Sequence, residues 1–358
     1  MATRAEVRTG RGAVSNPEGR FESTRTEVVD DGWGTIDEPL PPLETVVQPE
    51  PARSIIARNQ SPDIPFELSL NPYRGCEHGC IYCYARPSHG YLNLSPGLDF
   101  ETRLFYKPQA AALLERELAA PSYACSPITI GANTDPYQPI EREYRVTRSV
   151  LEVLARCRHP CSIITKSAMV ERDLDLLSSM ARDDLVQVFV SVTTLSNELK
   201  RTLEPRTASP AARLRTIRNL SAAGIPVGVM VAPVIPVLTD AELEHILEAS
   251  AQAGARSAGY VLLRLPHEVK DLFREWLEAN EPLRAKHVMS RLHAMRGGRD
   301  YDSRWGTRQR GEGEYAELLR KRFELACVRF GLNRGPRFTH NRTLFTPPST
   351  GQRQLSLL

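Results

Sequence analysis

Between residues 65 and 265 the chain alternates six times between a short apolar run rich in β-branched residues and a longer segment with apolar residues at three- and four-residue spacing. The first kind reads as strand and the second as helix. The strands are FELSLN, SPITIG, CSIITKS, VQVFVSVTT, PVGVMVAPVIPV and SAGYVLLRL. The helices are KPQAAALLERELAA, TRSVLEVLARC, ERDLDLLSSMAR, SPAARLRTIRNLSAAG and DAELEHILEASAQAG. Ser209 caps the fourth helix with Pro210 at its first position, and Gly224 stops it. Alternating elements of this kind predict an α/β fold with a parallel sheet whose strands are buried on both faces, a partial (β/α)6 barrel. In such folds chemistry gathers at the C-terminal ends of the strands.

A cysteine loop directly follows the first strand. In NPYRGCEHGCIYCYAR, Cys76, Cys80 and Cys83 are spaced C-x3-C-x2-C. Three thiolates this close can hold three corners of a [4Fe–4S] cube and leave the fourth iron open to a second cofactor or substrate. A structural zinc is the rival, and it needs a fourth ligand, for which His78 or His89 is available. The spacing, the aromatic Tyr82 before the third cysteine and the six-strand context favour the cluster. Polar groups also stand at the ends of later strands: Asn133, Thr134 and Asp135, then Lys166 and Ser167, then Thr193 and Thr194. Cys157 and Cys161, in CRHPC, read as ordinary thiols, because only Cys125 and Cys327 remain to complete a second cluster.

The cysteine loop resembles the signature of the radical S-adenosylmethionine (SAM) superfamily. The resemblance implies that SAM chelates the open iron and is reductively cleaved to a 5′-deoxyadenosyl radical that abstracts hydrogen from a substrate. From about residue 67 to 235 the pieces CIYCYA, ITKS, VFVSVTT, LEPRTASPAARL and GVMVAPV are similar to the spore photoproduct lyase-like branch, often labelled DNA repair photolyases. That branch's SAM-binding positions carry over to Thr134, Lys166, Ser191 and Ala232. Lys166 suits the SAM carboxylate. Ser191 suits the ribose, and backbone near Ala232, where Pro233 interrupts regular pairing, suits adenine. GANTDPYQPIE stands where the superfamily usually has a Gly-Gly-Glu strand, so Asn133, Thr134 and Asp135 are candidates for the SAM amino group. Glu204 and Arg206, with Arg213, either clamp SAM or form a local salt bridge. Tyr82 and Tyr84 flank Cys83 as in photoproduct lyases and are candidates nearest the radical. Asn133, however, occupies the position of their hydrogen-donating cysteine, and an amide has no weak X–H bond to give. Cys125 lies at the wrong end of its strand to replace it. Photoproduct lyase activity proper is therefore not expected.

Residues 1–64 show no sustained periodicity and read as a largely disordered arm with short segments docked on the core. A radical SAM core over 65–265, a helical and basic extension over 266–345 and a flexible tail over 346–358 complete the chain. From residue 296 onward there are 13 Lys and Arg against 6 Asp and Glu, whereas the whole chain is only +3. A basic extension suits a polyanion, nucleic acid first, or is a solvated surface. The terminal Gln354, Leu355, Ser356, Leu357 and Leu358 resemble the peptide by which bacterial DNA enzymes dock on the sliding clamp; packing on its own domain is the alternative. No segment reads as a membrane span or signal peptide, and 7 cysteines argue against a disulfide framework, so the expected location is the cytoplasm. The expected activity is that of a radical SAM enzyme, possible substrates being nucleic acid, protein or a small molecule, with an external electron donor. A non-catalytic scaffold built on a zinc or cluster loop is the remaining class.

Overall fold

The computed structural model describes residues 7–21 and 43–348. The proposed clamp peptide, Gln354 to Leu358, lies outside the described residues. Among the described residues ten strands form two sheets: β1 (Val46–Pro49), β2 (Ile56–Arg58), β3 (Leu68–Leu70), β4 (Tyr73–Arg74), β5 (Arg103–Tyr106), β6 (Ile128–Ile130), β7 (Cys161–Thr165), β8 (Val186–Ser191), β9 (Val227–Val234) and β10 (Ser257–Leu262). The larger sheet runs β10-β9-β8-β7-β6-β3-β2. Its six strands from β3 to β10 pair in parallel, and β2 closes one edge antiparallel to β3. These six are the strands predicted, and they form the partial (β/α)6 barrel. The smaller sheet, β1-β5-β4, has strands too short to carry a period and was not foreseen.

Helices Ala110–Leu118, Val146–Arg156, Leu174–Ala181, Pro210–Ala222 and Leu243–Gln252 connect the parallel strands. Ser209 accepts the Ala212 N–H as cap, with Pro210 behind it, so the local chemistry starts this helix where the sequence indicates. The outward residues Val186, Val188 and Val190 of β8 are fully buried with Leu177, Ile217 and Leu220 of those helices. Burial on both faces holds for β3 and β6 only. On β7 and β8 alternate residues are only half-buried, and so are most of those on β10. An open barrel has helices on one face alone, so the other face borders the site.

The C-terminal extension is helical. Helices Val269–Asn280 and Pro282–Ala294 bury Phe273, Trp276, Leu277, Val288 and Leu292 in one cluster with Cys80, Ile81, Tyr82 and Leu203. Trp276 Nε1 donates to the Thr202 carbonyl at 3.0 Å. The extension therefore forms the floor behind the cysteine loop. Helix Glu314–Phe330 packs on Leu243–Gln252, with Arg322 and Glu244 2.6 Å apart. Beyond it the Asn333 amide hydrogen-bonds both backbone groups of Ala258, at 2.8 and 3.0 Å, and so blunts the open edge of β10.

Much of the extension's positive charge is committed within the chain. Arg304 pairs with Asp302 and Glu312, Arg308 with Asp63, and Arg320 with Glu317 and Glu324. Of these acids only Asp63 lies outside the extension, so the excess counted from composition falls by that pair and by Arg322 with Glu244. Among the described residues no helix is long and apolar enough to cross a membrane.

Candidate active site

The cysteine loop runs from β4 into the small sheet. Its turns need glycine at one point in particular. Gly79 has φ +66°, and a Cβ there would lie 2.7 Å from Glu101 Oε2, while a Cβ at Gly12 would overlap the Gly79 carbonyl oxygen. Arg86 organises the loop from beneath. It is fully buried and uses all five N–H groups: Nε to Cys80 O at 2.9 Å, Nη1 to Pro96 O and Gly97 O at 3.0 and 2.9 Å, Nη2 to Gly79 O at 3.1 Å and to Glu101. Glu101, equally buried, also accepts the backbone N–H groups of Gly12 and Ala13 at 3.0 and 2.9 Å. Here a segment of the N-terminal stretch, Arg11 to Val14, docks on the core and is buried.

The donor set fits an iron–sulfur cluster. Cys76 and Cys80 are buried and Cys83 nearly so. Burial pushes all three thiols up; Asp135 and the other two cysteines raise Cys76 further, Glu204 raises Cys80 against Lys166 and Arg213, and Arg86 and Lys166 offset part of the rise at Cys83. Three buried thiolates this close require a cationic group between them. The backbone N–H groups of Asp135 at Cys76, and of Ala85 and Arg86 at Cys83, offset part of the rise. Each histidine available to a zinc has one ring nitrogen engaged elsewhere. His78 Nδ1 faces Asp135 at 3.3 Å, and His89 Nε2 bonds the Arg103 carbonyl at 2.9 Å.

Around the loop, the ends of β7, β8 and β9 bring together most of the residues singled out from the sequence. Glu204 is wholly buried and accepts from Tyr82, from Thr193 at 2.7 Å and from Arg213. Lys166 Nζ stands 4.0 Å from it and donates to the Ala232 carbonyl at 3.2 Å. Burial alone would raise the Glu204 carboxyl, but Arg213, then Lys166 and the hydrogen bonds, hold it at about 2. Arg213 also donates to Ser191 O at 3.0 Å, which ties the end of β8 to the same charge pair. The Thr193 hydroxyl lies 3.1 Å from the Ala232 carbonyl, but its single proton can serve only one of Glu204 and Ala232. The Ala232–Pro233 bond is cis, and β9 continues through it to Val234.

Arg206 does not belong to this set. It pairs with Glu77 on the cysteine loop, and its backbone N–H donates to His78 O at 3.3 Å. The compact charged group is Glu204 with Arg213 and Lys166, because helix Pro210–Ala222 turns Arg213 back beneath the loop while Arg206 faces the other way. After β6, the Asn133 N–H binds Asn71 Oδ1 at 2.9 Å and the Thr134 hydroxyl donates to Tyr73 O at 3.0 Å. Asp135 accepts the Thr165 hydroxyl and the Lys166 N–H at 2.8 and 2.7 Å, so its carboxylate joins β6 to β7; burial raises its pKa, and His78 with these bonds brings it below the usual range. Tyr82 and Tyr84 point apart. Tyr82 is buried on Glu204, and Tyr84, its ring half exposed, bonds the Ala132 carbonyl.

Arg86 and Glu101 were missed from the sequence. Arg86 stands three residues after the last cysteine, but nothing in that spacing shows that its guanidinium turns inward.

Comparison with known proteins agrees with this geometry. An uncharacterized protein of Mycobacterium tuberculosis is 41% identical over 221 residues, 61% of this chain and 65% of that protein. The chain thus spans a little under two thirds of the length of that relative. An uncharacterized protein of Methanocaldococcus jannaschii is 28% identical over 214 residues, 60% of this chain and 76% of its own. Among solved structures, a cysteine-to-serine variant of spore photoproduct lyase matches with TM-score 0.56 and 16% identity over 80% of each chain. A variant of the same lyase with bound AdoMet and dinucleoside spore photoproduct matches with TM-score 0.55 and 17% identity over 80% of each chain. Both show a shared fold. Residues 70–249 match the radical SAM superfamily, so the chain belongs to that superfamily, enzymes whose cofactors are a [4Fe–4S] cluster and SAM.

Proposed function

We propose that this enzyme acts on nucleic acid, in repair or modification, within the reducing cytoplasm and with an external electron donor. The observation that carries the radical chemistry is the crowding of Cys76, Cys80 and Cys83 in one largely buried loop, beside Lys166 at the end of β7 and the buried Glu204. When bound, the cluster and SAM supply a 5′-deoxyadenosyl radical for hydrogen abstraction.

The chain's own residues bind and orient. Lys166, partly solvent-accessible between Glu204 and the Ala232 carbonyl, is placed to take the SAM carboxylate, and Ser191 at the end of β8 to take the ribose. Glu204 holds Lys166 turned inward. Trp276 and Phe273 close the loop from behind and exclude water. Thr134 and Asp135 act chiefly by holding the β6 and β7 ends in register, since their side chains bond within the fold.

The test is anaerobic reconstitution with iron and sulfide. The wild-type protein is expected to turn brown and, once reduced, to convert SAM into 5′-deoxyadenosine; Cys83→Ala should lose both properties. A colourless zinc protein inert to SAM would overturn the reading. Deuterium transfer from labelled oligonucleotides into 5′-deoxyadenosine identifies the substrate class, and transfer from peptides or metabolites alone would remove nucleic acid.

A further inference from the structure

Arg264 lies just beyond β10, on the same rim of the barrel as Lys166 and Thr193. Its guanidinium carbon is 5.3 Å from the centroid of the Tyr84 ring, next to candidate cluster ligand Cys83. Its Nη2 is 3.4 Å from the Tyr301 hydroxyl, and its buried Nε has no hydrogen-bond partner. Among the described residues Arg264 makes no ion pair. A second guanidinium backs it. Arg296 is 2% exposed, donates only to the carbonyls of Leu263 and Thr307, at 2.9 and 2.7 Å, and also has an unpartnered Nε. Burial, then the charge of Arg264, holds Arg296 down at about 10. Asp302 and Glu312, the carboxylates whose charge reaches Arg296, are both paired with Arg304.

Two guanidiniums side by side without a carboxylate are costly. An anion that arrives with the substrate removes that cost. The surroundings narrow its kind. Tyr84 is 47% exposed in an otherwise buried site, its hydroxyl fixed on Ala132 while its ring stays open. An open aromatic ring beside an unpaired arginine matches a nucleobase with its phosphate, as single-strand-binding surfaces use them. An isolated carboxylate would need the arginine and not the ring.

We infer that Arg264, backed by Arg296 and set against the open ring of Tyr84, binds a phosphodiester of a single-stranded or unstacked nucleotide substrate. This rests on the nucleic-acid reading above and sharpens it. Binding of a short fluorescein-labelled single-stranded oligonucleotide to the reconstituted full-length protein, followed by anisotropy across a salt series, tests it. Arg264→Gln should weaken binding about tenfold and lower the salt slope by about one. Arg264→Lys should recover part of the affinity, since charge remains without the fork. Arg182→Gln, an exposed arginine after helix Leu174–Ala181, is the charge control and should change little. Iron content and thermal melting establish that each variant is folded; if Arg264→Gln is not, the lysine variant carries the comparison. Wild-type binding with unchanged affinity and slope in the variants overturns this inference and leaves the nucleic-acid reading standing. A protein that cleaves SAM yet binds no oligonucleotide at low salt overturns both. Equally tight, Arg264-dependent binding of a polyglutamate peptide overturns the phosphodiester in favour of a carboxylate.

Discussion

Arg86→Met is expected to yield a protein that cannot retain its cluster and melts well below the wild type. The substitution removes five hydrogen bonds at once, leaves the carbonyls of Gly79, Pro96 and Gly97 without a donor and leaves that of Cys80 with only the Cys83 N–H. It also strands the buried Glu101 carboxylate with only two backbone N–H groups. Breaking one side of a buried ion pair costs roughly 3–5 kcal/mol, a large part of a domain's net stability. Two of the freed carbonyls belong to the cysteine loop, so geometry at the sulfurs is lost with stability. Arg86→Lys should rescue little, because one ammonium cannot reach donors spread across a planar fork. The double change Arg86→Met with Glu101→Gln should regain part of the melting temperature, since the stranded charge is gone. Iron per chain after reconstitution and thermal melts decide the matter; full iron content in Arg86→Met would refute the role assigned to this arginine.

The second large effect concerns Glu204 and Arg213. Arg213→Met should destabilise the fold by roughly 3–5 kcal/mol, again because a buried carboxylate loses its closest cation. The pH dependence gives a distinct readout. Glu204 is held at about 2 against an ordinary 4.5, so the wild type keeps this stabilisation above about 4.5 and loses it as pH falls toward about 2. Without Arg213 burial dominates and lifts the carboxyl above its unfolded value, so the acid loss should disappear and stability should instead rise as pH falls through the raised pKa. Glu204→Gln should remove that acid component, although the uncompensated Arg213 lowers stability throughout. Denaturant melts between about pH 2 and pH 7 follow all three proteins. Superimposable acid profiles for wild type and Arg213→Met would show that the pair does not set the Glu204 charge. The same variants bear on function, because Tyr82, Thr193 and Lys166 all lean on Glu204.

Much of the barrel is legible in the sequence because parallel strands and their helices carry local periodicity and caps. Ser209 and Pro210 start a helix for reasons contained within four residues. The cysteine spacing is equally local, and it singles out the candidate cluster ligands without any knowledge of the fold. The small sheet escapes notice because strands such as Tyr73–Arg74 are too short for a pattern. The paired burial expected of every strand fails on β7, β8 and β10, since apolar content does not reveal that the barrel stays open.

The charged residues divide in the same way. Glu204, Arg206 and Arg213 read as one set because they are neighbours in sequence, but helix geometry sends Arg213 to Glu204 and leaves Arg206 to Glu77. The basic extension reads as free charge until Asp63 and Glu244 are found opposite its arginines.

What the sequence by itself determined is the chemistry of the loop and the order of the six strands, because both are written in spacings of a few residues. Only the tertiary structure decided that Arg86 and Glu101 form the buried frame of that loop, that Glu204 is the charge beneath Tyr82, and that Arg264 stands unpaired beside Tyr84. Those facts depend on groups far apart in the chain, and on which of many similar arginines turns inward. Burial and pairing are properties of the folded whole, and no local pattern encodes them.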